Sequence, residues 1–116
     1  MRKLEIGTEK YTQVFATDER GAGNANHIYS VASVETGEVL QVVCFQNGPI
    51  KESGVNGVMN EDLIAMVIDR LEGFQASPFK CNENHAALSS LNEALFWLRK
   101  RTFEREARGV EGTNEV

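Results

Sequence analysis

The feature that most constrains the fold is a change of hydrophobic period near residue 58. Before it, β-branched and aromatic residues are enriched in four segments typical of half-buried strands: 3–6, 11–16, 27–34 and 38–45. After it, apolar residues recur at helical spacing. Strand faces repeat every two residues and helix faces every ~3.6, so the two halves need different elements. The sequence therefore predicts an α+β fold: an antiparallel β-core over 1–57 and a helical hairpin over 58–116, together one cooperative unit.

The predicted strands are separated by turn-forming residues. Gly37 in "ETG" suits the left-handed position of a hairpin turn between the third and fourth strands. The loops "TDERGAGNANH" and "QNGP" are rich in Gly, Asn and Asp, which neither a sheet nor a helix holds in its interior. We expect both loops at the same edge of the sheet.

Two helices follow, over about 60–73 and 83–108. Asn60 is the predicted N-cap of the first helix and Gly73 its end. Asn82 is the predicted cap of the second helix, which Gly109 stops. The apolar positions of the first are Leu63, Ile64, Val67, Ile68 and Leu71. Those of the second follow a 3-4 rhythm: Leu88, Leu91, Leu95, Leu98 and Thr102.

The second helix is too long for its partner. At 1.5 Å per residue it extends roughly 16 Å beyond the first helix. The far half carries Phe96, Trp97 and Phe103, and exposed aromatics of this size seldom stay solvated in a monomer. We expect an oligomer, in its simplest closed form a two-fold antiparallel pair of hairpins. The alternative is that the sheet folds back over this face.

Composition excludes several classes of protein. With 41% hydrophobic residues, the chain has no apolar run near the roughly 20 residues that span a bilayer. The N-terminus lacks the apolar core of a signal peptide, so we expect a cytoplasmic protein that does not contact membranes. Cys44 and Cys81 form no CxxC pair, and we expect both to be unpaired.

Catalytic and metal chemistry find little support. His27 and His85 lack the spacing of a metal site, no nucleophile motif is present, and no cofactor is indicated. "GAGNANH" has a GxG spacing but is followed by a strand, which argues against a dinucleotide fold. Such a loop can present N–H groups to phosphate, which makes Gly23 and Asn26 secondary ligand-binding candidates. The alternative is a plain surface loop.

The run "RKRTFEREAR" concentrates positive charge in an acidic chain. It holds five of the twelve basic residues, although the formal net charge is −5. On a helix Arg101, Arg105 and Arg108 form one stripe, and arginine binds phosphate through paired hydrogen bonds. Long nucleic acids need an extended positive surface, so we expect none to bind. The remaining alternatives are a small phosphorylated ligand or a solvated face that complements the helix dipole.

The turn between the helices offers partners for a base. Phe74 and Phe79 are candidate stacking platforms, and Asn82 and Asn84 can read a base edge. Alternatively, both phenylalanines close the end of the hairpin. Asn84 and Arg101 lie roughly 25 Å apart along one helix, too far for one small ligand. In an antiparallel dimer the turn of one chain lies beside the basic end of the other, so the site would be composite.

These residues also carry a resemblance. Over its length the sequence resembles the phage-encoded Thoeris anti-defence sponges, whose C-terminal helical hairpin is shared with the anti-CBASS sponges. The matching stretches are "GAGNANHIY", "FQNGPIKESGVNGVMNEDLIAMVIDRLEGFQ", "PFKCNENHAAL" and "RGVEGTNEV". One departure is Asn82, where related sequences carry a basic residue.

The resemblance implies a non-enzymatic function in the infected bacterial host. Such proteins sequester cyclic immune signals without degrading them: glycocyclic ADP-ribose and, in members of this type, cyclic di- and trinucleotides. It implies dimers that in several members associate into hexamers. It also implies ligand-binding roles for Phe74, Asn84, Arg101 and Arg105. The arginine stripe, independently of the resemblance, makes Arg108 a secondary candidate. Two rival hypotheses remain: a cyclic-nucleotide hydrolase, and a helical adaptor that docks a host protein through Trp97 and the basic helix end.

Overall fold

The computed structural model describes residues 1–7 and 9–116, which form two compact units, Met1–Val58 and Met59–Val116. The first is a four-stranded antiparallel sheet and the second contains two long helices packed as a hairpin. The predicted α+β class is therefore confirmed. The predicted cooperative unfolding of the two units and the predicted oligomer stay predictions. No helix among the described residues is long and apolar enough to cross a membrane.

The sheet has the strand order β1-β2-β3-β4. Its strands are β1 (Arg2–Lys3), β2 (Thr12–Ala16), β3 (Ile28–Ser33) and β4 (Val39–Cys44). β1 is shorter than the predicted segment 3–6. The register pairs Val14 with Val31 and Val31 with Gln41, and a bulge follows Val31. Gly37 has a φ of 74°, the left-handed conformation that the sequence predicts for the β3–β4 turn.

Both Gly- and Asn-rich loops lie at the same end of the sheet, as predicted. The chain reverses at each antiparallel turn, so the β2–β3 loop and the segment after β4 share one end, where the N–H of Phe45 donates to the carbonyl of His27 at 2.7 Å. The segment after β4 forms a short helix that the sequence did not predict, α1 (Ile50–Ser53). The chain then returns to the sheet through a bridge between Phe45 and Val58.

The first long helix, α2 (Asn60–Gln75), differs from prediction at both ends. Its N-cap is Met59, not Asn60; the backbone N–H of Met59 donates to the Asp62 carboxylate at 2.8 Å. Gly73 does not end it, because the helix continues two residues further. Glycine in a helix interior is unfavourable but tolerated when the flanking turns pack. Ile68 is buried, whereas the predicted inward residue Val67 is exposed.

The second long helix, α3 (Asn82–Ala107), has Cys81 as its N-cap, not Asn82. The Cys81 sulfur accepts the N–H of Asn84 at 3.5 Å. Cys44 and Cys81 are both free and exposed. The predicted stop at Gly109 is confirmed: Gly109 has a φ of 73°, and the N–H of Val110 donates to the carbonyl of Arg105 at 3.0 Å. This bond pattern is a Schellman motif.

α3 keeps a single partly buried stripe. The predicted seam is confirmed, because Leu88, Leu91, Leu95, Leu98 and Thr102 are all partly buried. The same 3-4 spacing continues to Asn84 at one end and Arg105 at the other, and both are also partly buried. Two of the predicted ligand-binding residues therefore stand at the two ends of the seam. α3 has 26 residues against 16 in α2, which keeps the predicted overhang at roughly 15 Å.

Candidate ligand-binding site

The turn between α2 and α3 is closed by a glutamine that the sequence analysis did not single out. The amide oxygen of Gln75 accepts the N–H of Cys81, and its amide nitrogen donates to the carbonyl of Cys81, both at 3.0 Å. The hydroxyl of Ser77 donates to the carbonyl of Phe74 at 2.6 Å. These bonds hold the end of α2 against the start of α3. Phe74 and Asn84 are thereby anchored to the two sides of one braced turn.

The ring of Phe74 has a cationic neighbour. The guanidinium carbon of Arg70, one helical turn earlier, lies 5.2 Å from the ring centroid. A guanidinium over an aromatic face is attracted by the negative potential of the ring. Phe74 is nonetheless 37% exposed, so part of the ring remains accessible. Sequence reasoning missed Arg70, although its i, i+4 spacing to Phe74 was the available signal.

Phe79, the other aromatic of the turn, is 77% exposed. It therefore does not close the hairpin end, as one alternative had it. Its backbone N–H donates to the Ser77 hydroxyl at 3.1 Å. Asn84 is partly buried, and its N–H is used by the Cys81 cap. Its amide side chain stands in the first turn of α3, where the helix presents partial positive charge.

The arginines at the far end of α3 differ in what they contact. Arg101 is exposed. Arg105 is partly buried, and its terminal nitrogen Nη2 donates to the carbonyls of Val110 at 3.0 Å and Thr113 at 3.2 Å. Arg108 donates to the carbonyl of Val116 at 3.1 Å. The segment after α3 is thus tied down by two arginines of the stripe.

Within a single hairpin, the residues at the turn lie far from the arginines at the end of α3. Phe74 and Asn84 lie at the turn, whereas Arg101 and Arg105 lie at the overhanging end of α3. Asn84 and Arg101 are separated by 17 residues of continuous helix, about 25 Å. A ligand of nucleotide size cannot contact both groups in the same chain.

The overhang also carries an open apolar groove. It has a volume of about 500 Å³ and lies along α3. Its lining consists of Asn92, Leu95, Phe96, Arg99, Lys100 and Phe103. Phe96, Trp97 and Phe103 are 58%, 55% and 57% exposed in the single chain. The rings of Phe96 and Trp97 meet edge to face, with centroids 5.2 Å apart. Phe96 and Trp97 therefore contact each other, and all three aromatic residues leave more than half of their surface uncovered.

Two of the three secondary candidates, Gly23 and Asn26, lie in the β2–β3 loop of the sheet unit. Asn26 is 8% exposed; its side chain accepts from Arg2 at 2.8 Å and donates to the carbonyl of Asp18 at 2.7 Å. Gly23 has a φ of 69° within a single 3₁₀ turn, Ala22–Asn24. The N–H groups of the residues at 21 and 24 donate within the loop. Asn26 therefore stabilises the loop through these two bonds.

The same loop is organised by a carboxylate. Asp18 accepts the backbone N–H of His27 at 2.9 Å, and this bond, reinforced by others from the loop, lowers the pKa of Asp18 from its ordinary value. His27 contacts the carbonyl of Ala22 through Nε2 at 2.9 Å. Across the described residues, no group of three His, Cys, Asp or Glu could hold a metal ion.

Comparison with known proteins adds the family context. The family model for the Acb2/Tad1 hairpin domain matches residues 38–103, more than half of the chain. The match spans Phe74, Asn84 and Arg101 and ends before Arg105. "Thoeris anti-defense 1" of Bacillus phage SBSphiJ7 is 66% identical over 76 residues, which cover 66% of this chain and 54% of that relative. The chain thus spans about half the length of the relative.

Proposed function

Because the chain belongs to the Acb2/Tad1 hairpin family, we propose that it is a phage anti-defence sponge that binds cyclic nucleotide immune signals in the bacterial cytoplasm and withholds them from their effector. The name of the relative denotes a Thoeris anti-defence protein and supports a role against that defence system. Glycocyclic ADP-ribose is the ligand that we propose, because the resemblance described in the sequence analysis implies it. The observation that carries the proposal is the pairing of a base platform at the hairpin turn with an arginine stripe at the end of α3.

Each chemical part of such a ligand has a matching residue. Arg101 and Arg105 bind the pyrophosphate, because guanidinium groups form charge-assisted bonds to phosphate oxygens. Phe74 stacks on the base, with its ring partly exposed and steadied by Arg70. Asn84 reads the base edge with one donor and one acceptor group.

The site is composite in this proposal. Two hairpins related by a two-fold axis run antiparallel, so that the turn of one lies beside the arginines of the other. The uncovered aromatic surface of Phe96, Trp97 and Phe103 supplies the apolar contact between the copies. Two equivalent sites result, each made of two chains. The proposal extends to hexamers, which form when dimers associate further. It also extends to cyclic di- and trinucleotides as ligands, for which no binding residues are assigned.

Sequestration requires binding alone. A sponge needs a low Kd and a slow dissociation rate, whereas an enzyme must bind the transition state more tightly than the substrate. Asn84 and Arg105, at the two ends of the α3 seam, are both held in place by neighbouring segments. This suits tight binding, because preorganised side chains lose little entropy when the ligand binds.

Calorimetric and thermal-shift titration of the full chain with glycocyclic ADP-ribose tests the proposal. We expect tight binding, a rise in Tm, and intact ligand on chromatography after heat release. Recovery of a hydrolysed ligand would indicate the rival hydrolase. Absence of binding to this ligand and to a panel of cyclic oligonucleotides would leave the adaptor hypothesis, in which Trp97 and the basic end dock a host protein.

A matched pair of variants assigns the base platform. Phe74→Leu removes the stacking face and should weaken binding by roughly 1–3 kcal/mol. Phe79→Leu makes the same change in the same turn on a more exposed ring and should leave the Kd unchanged. Equal losses in both variants would contradict the assignment of Phe74.

A further inference from the structure

We infer that the segment after α3 orients the Arg105 guanidinium, and that Thr113 is the positioning residue that shapes this segment. The predicted effect on ligand affinity rests on the proposed function, whereas the predicted orientation of the Arg105 side chain does not. We call residues Val110–Thr113 of this segment the tail turn. Its residues at 110, 111, 112 and 113 are all partly buried.

The tail turn is folded back onto the helix by a reversal at Gly109. The N–H of Gly109 donates to the carbonyl of Glu106, and that of Val110 to the carbonyl of Arg105, both at 3.0 Å. This reversal brings the carbonyls of Val110 and Thr113 to the Arg105 side chain. Both accept from the same nitrogen, Nη2, at 3.0 and 3.2 Å. Two acceptors on one nitrogen fix the plane of the guanidinium as well as its position.

Thr113 closes the turn that makes this possible. Its N–H donates to the carbonyl of Val110 at 3.1 Å, and its hydroxyl donates to the same carbonyl. The hydroxyl also accepts the N–H of Glu115 at 3.2 Å. Thr113 therefore holds the chain on both sides of the acceptors that Arg105 uses. Without the hydroxyl, the turn keeps one of these three bonds.

The chemistry of the acceptors matters for binding an anion. Arg105 is held by carbonyl oxygens, which carry no net charge. Lys100, four residues from Glu104, is instead paired with a carboxylate at 3.3 Å. A carbonyl orients a cation without neutralising it, so Arg105 retains its positive charge for a phosphate. A preoriented side chain also loses less rotamer entropy on binding than a free one.

The test combines Thr113→Val with two controls. Thr113→Ser retains the hydroxyl and should behave as the unaltered chain. Thr102→Val makes the same substitution on α3, where the hydroxyl bonds the carbonyl of Leu98 at 3.3 Å and neither of the carbonyls that Arg105 uses. The first measurement needs no ligand: the ¹H–¹⁵N heteronuclear NOE of the Arg105 Nε–H group. We expect it to fall in Thr113→Val and to hold in both controls.

The second measurement is the Kd for glycocyclic ADP-ribose. We expect Thr113→Val to weaken binding about fivefold, the effect of roughly one hydrogen bond, and Thr113→Ser to restore it. An unchanged NOE in Thr113→Val would overturn the inference whether or not the ligand binds. A lower NOE with an unchanged Kd would also overturn it, since orientation would then not serve binding. If the unaltered chain binds no ligand at all, the proposed function fails separately, while the NOE still decides the orienting role.

Discussion

Arg105 and Val110 bond to each other in both directions: the carbonyl of Arg105 accepts the N–H of Val110, and the guanidinium of Arg105 donates to the carbonyl of Val110, both at 3.0 Å. The reciprocity depends on Gly109, whose φ of 73° reverses the chain in a single residue. A phosphate-binding candidate and a helix stop are therefore parts of one structure. Changes at Gly109 and at Arg105 should affect the same segment.

Two glycines in the helical unit should respond oppositely to alanine. Gly109→Ala places a Cβ in the left-handed region and should cost about 1–2 kcal/mol of unfolding free energy. Gly73→Ala lies inside α2, where an added Cβ meets no atom within 4 Å apart from its chain neighbours and the local helix backbone, and should stabilise the protein by about 1 kcal/mol. Urea unfolding of the full chain, followed by circular dichroism, measures both. Shifts of the same sign would contradict the helix ends described above.

Acid should destabilise the β2–β3 loop through Asp18. The N–H of His27 lowers the pKa of this carboxyl in the folded protein. The stability that Asp18 contributes is therefore fully present above its ordinary pKa and is lost as the pH falls through the lower folded value. Amide hydrogen exchange at His27 across this acidic range measures the loss. Asp18→Asn should flatten the dependence, whereas Glu19→Gln next to it should not; equal flattening would contradict the role of Asp18.

Substitution of Arg101 should lower ligand affinity without changing the stability of the protein. It is exposed, and within residues 1–7 and 9–116 its guanidinium makes no hydrogen bond or ion pair. Arg101→Ala should therefore weaken ligand binding about 10- to 100-fold, the loss of a charge-assisted bond, with little change in Tm. Lys51→Ala removes an equal charge from α1 in the sheet unit and serves as the control. A similar loss in both variants would indicate general charge attraction in place of a specific phosphate contact.

Arg105→Ala should instead change two properties. It removes a phosphate contact and also releases the carbonyls of Val110 and Thr113. We expect weaker binding together with faster amide exchange in the segment after α3, and an unchanged oligomeric mass by sedimentation. Unchanged affinity would remove the arginine stripe from the proposed site.

A composite site predicts complementation between two weakly binding variants. Phe74→Ala and Arg101→Ala each weaken both sites of a homodimer. In a mixed dimer one site carries both changes and the other carries neither, so co-refolding equal amounts should restore about a quarter of the binding capacity. Calorimetric stoichiometry measures the recovery. Mixing two different variants of Phe74 is the control, and no recovery in the first mixture would indicate that the site is not shared in this way.

Local sequence signals predicted the elements better than their ends. The 3-4 rhythm of leucines identified the partly buried stripe of α3, since that spacing is a property of the helix itself. The caps failed at Asn60 and Asn82 because Met59 and Cys81, one residue earlier, hold the cap positions. Gly73 failed as a stop because Gln75 bonds to Cys81 and carries the helix to the turn. These bonds join residues across the turn, and such contacts do not appear as a periodic pattern in the sequence.

The sequence alone determined the α+β class, the hairpin, the left-handed glycines at 37 and 109, and the concentration of arginine at one helix end, because period, turn chemistry and charge are local. Only the tertiary structure decided how those groups are used. It placed Arg70 against Phe74, engaged Asn26 with Arg2 and Asp18, and turned the chain after Gly109 back onto Arg105. Each of these depends on where backbone carbonyls and side-chain ends meet after folding, and residue type and spacing do not specify that.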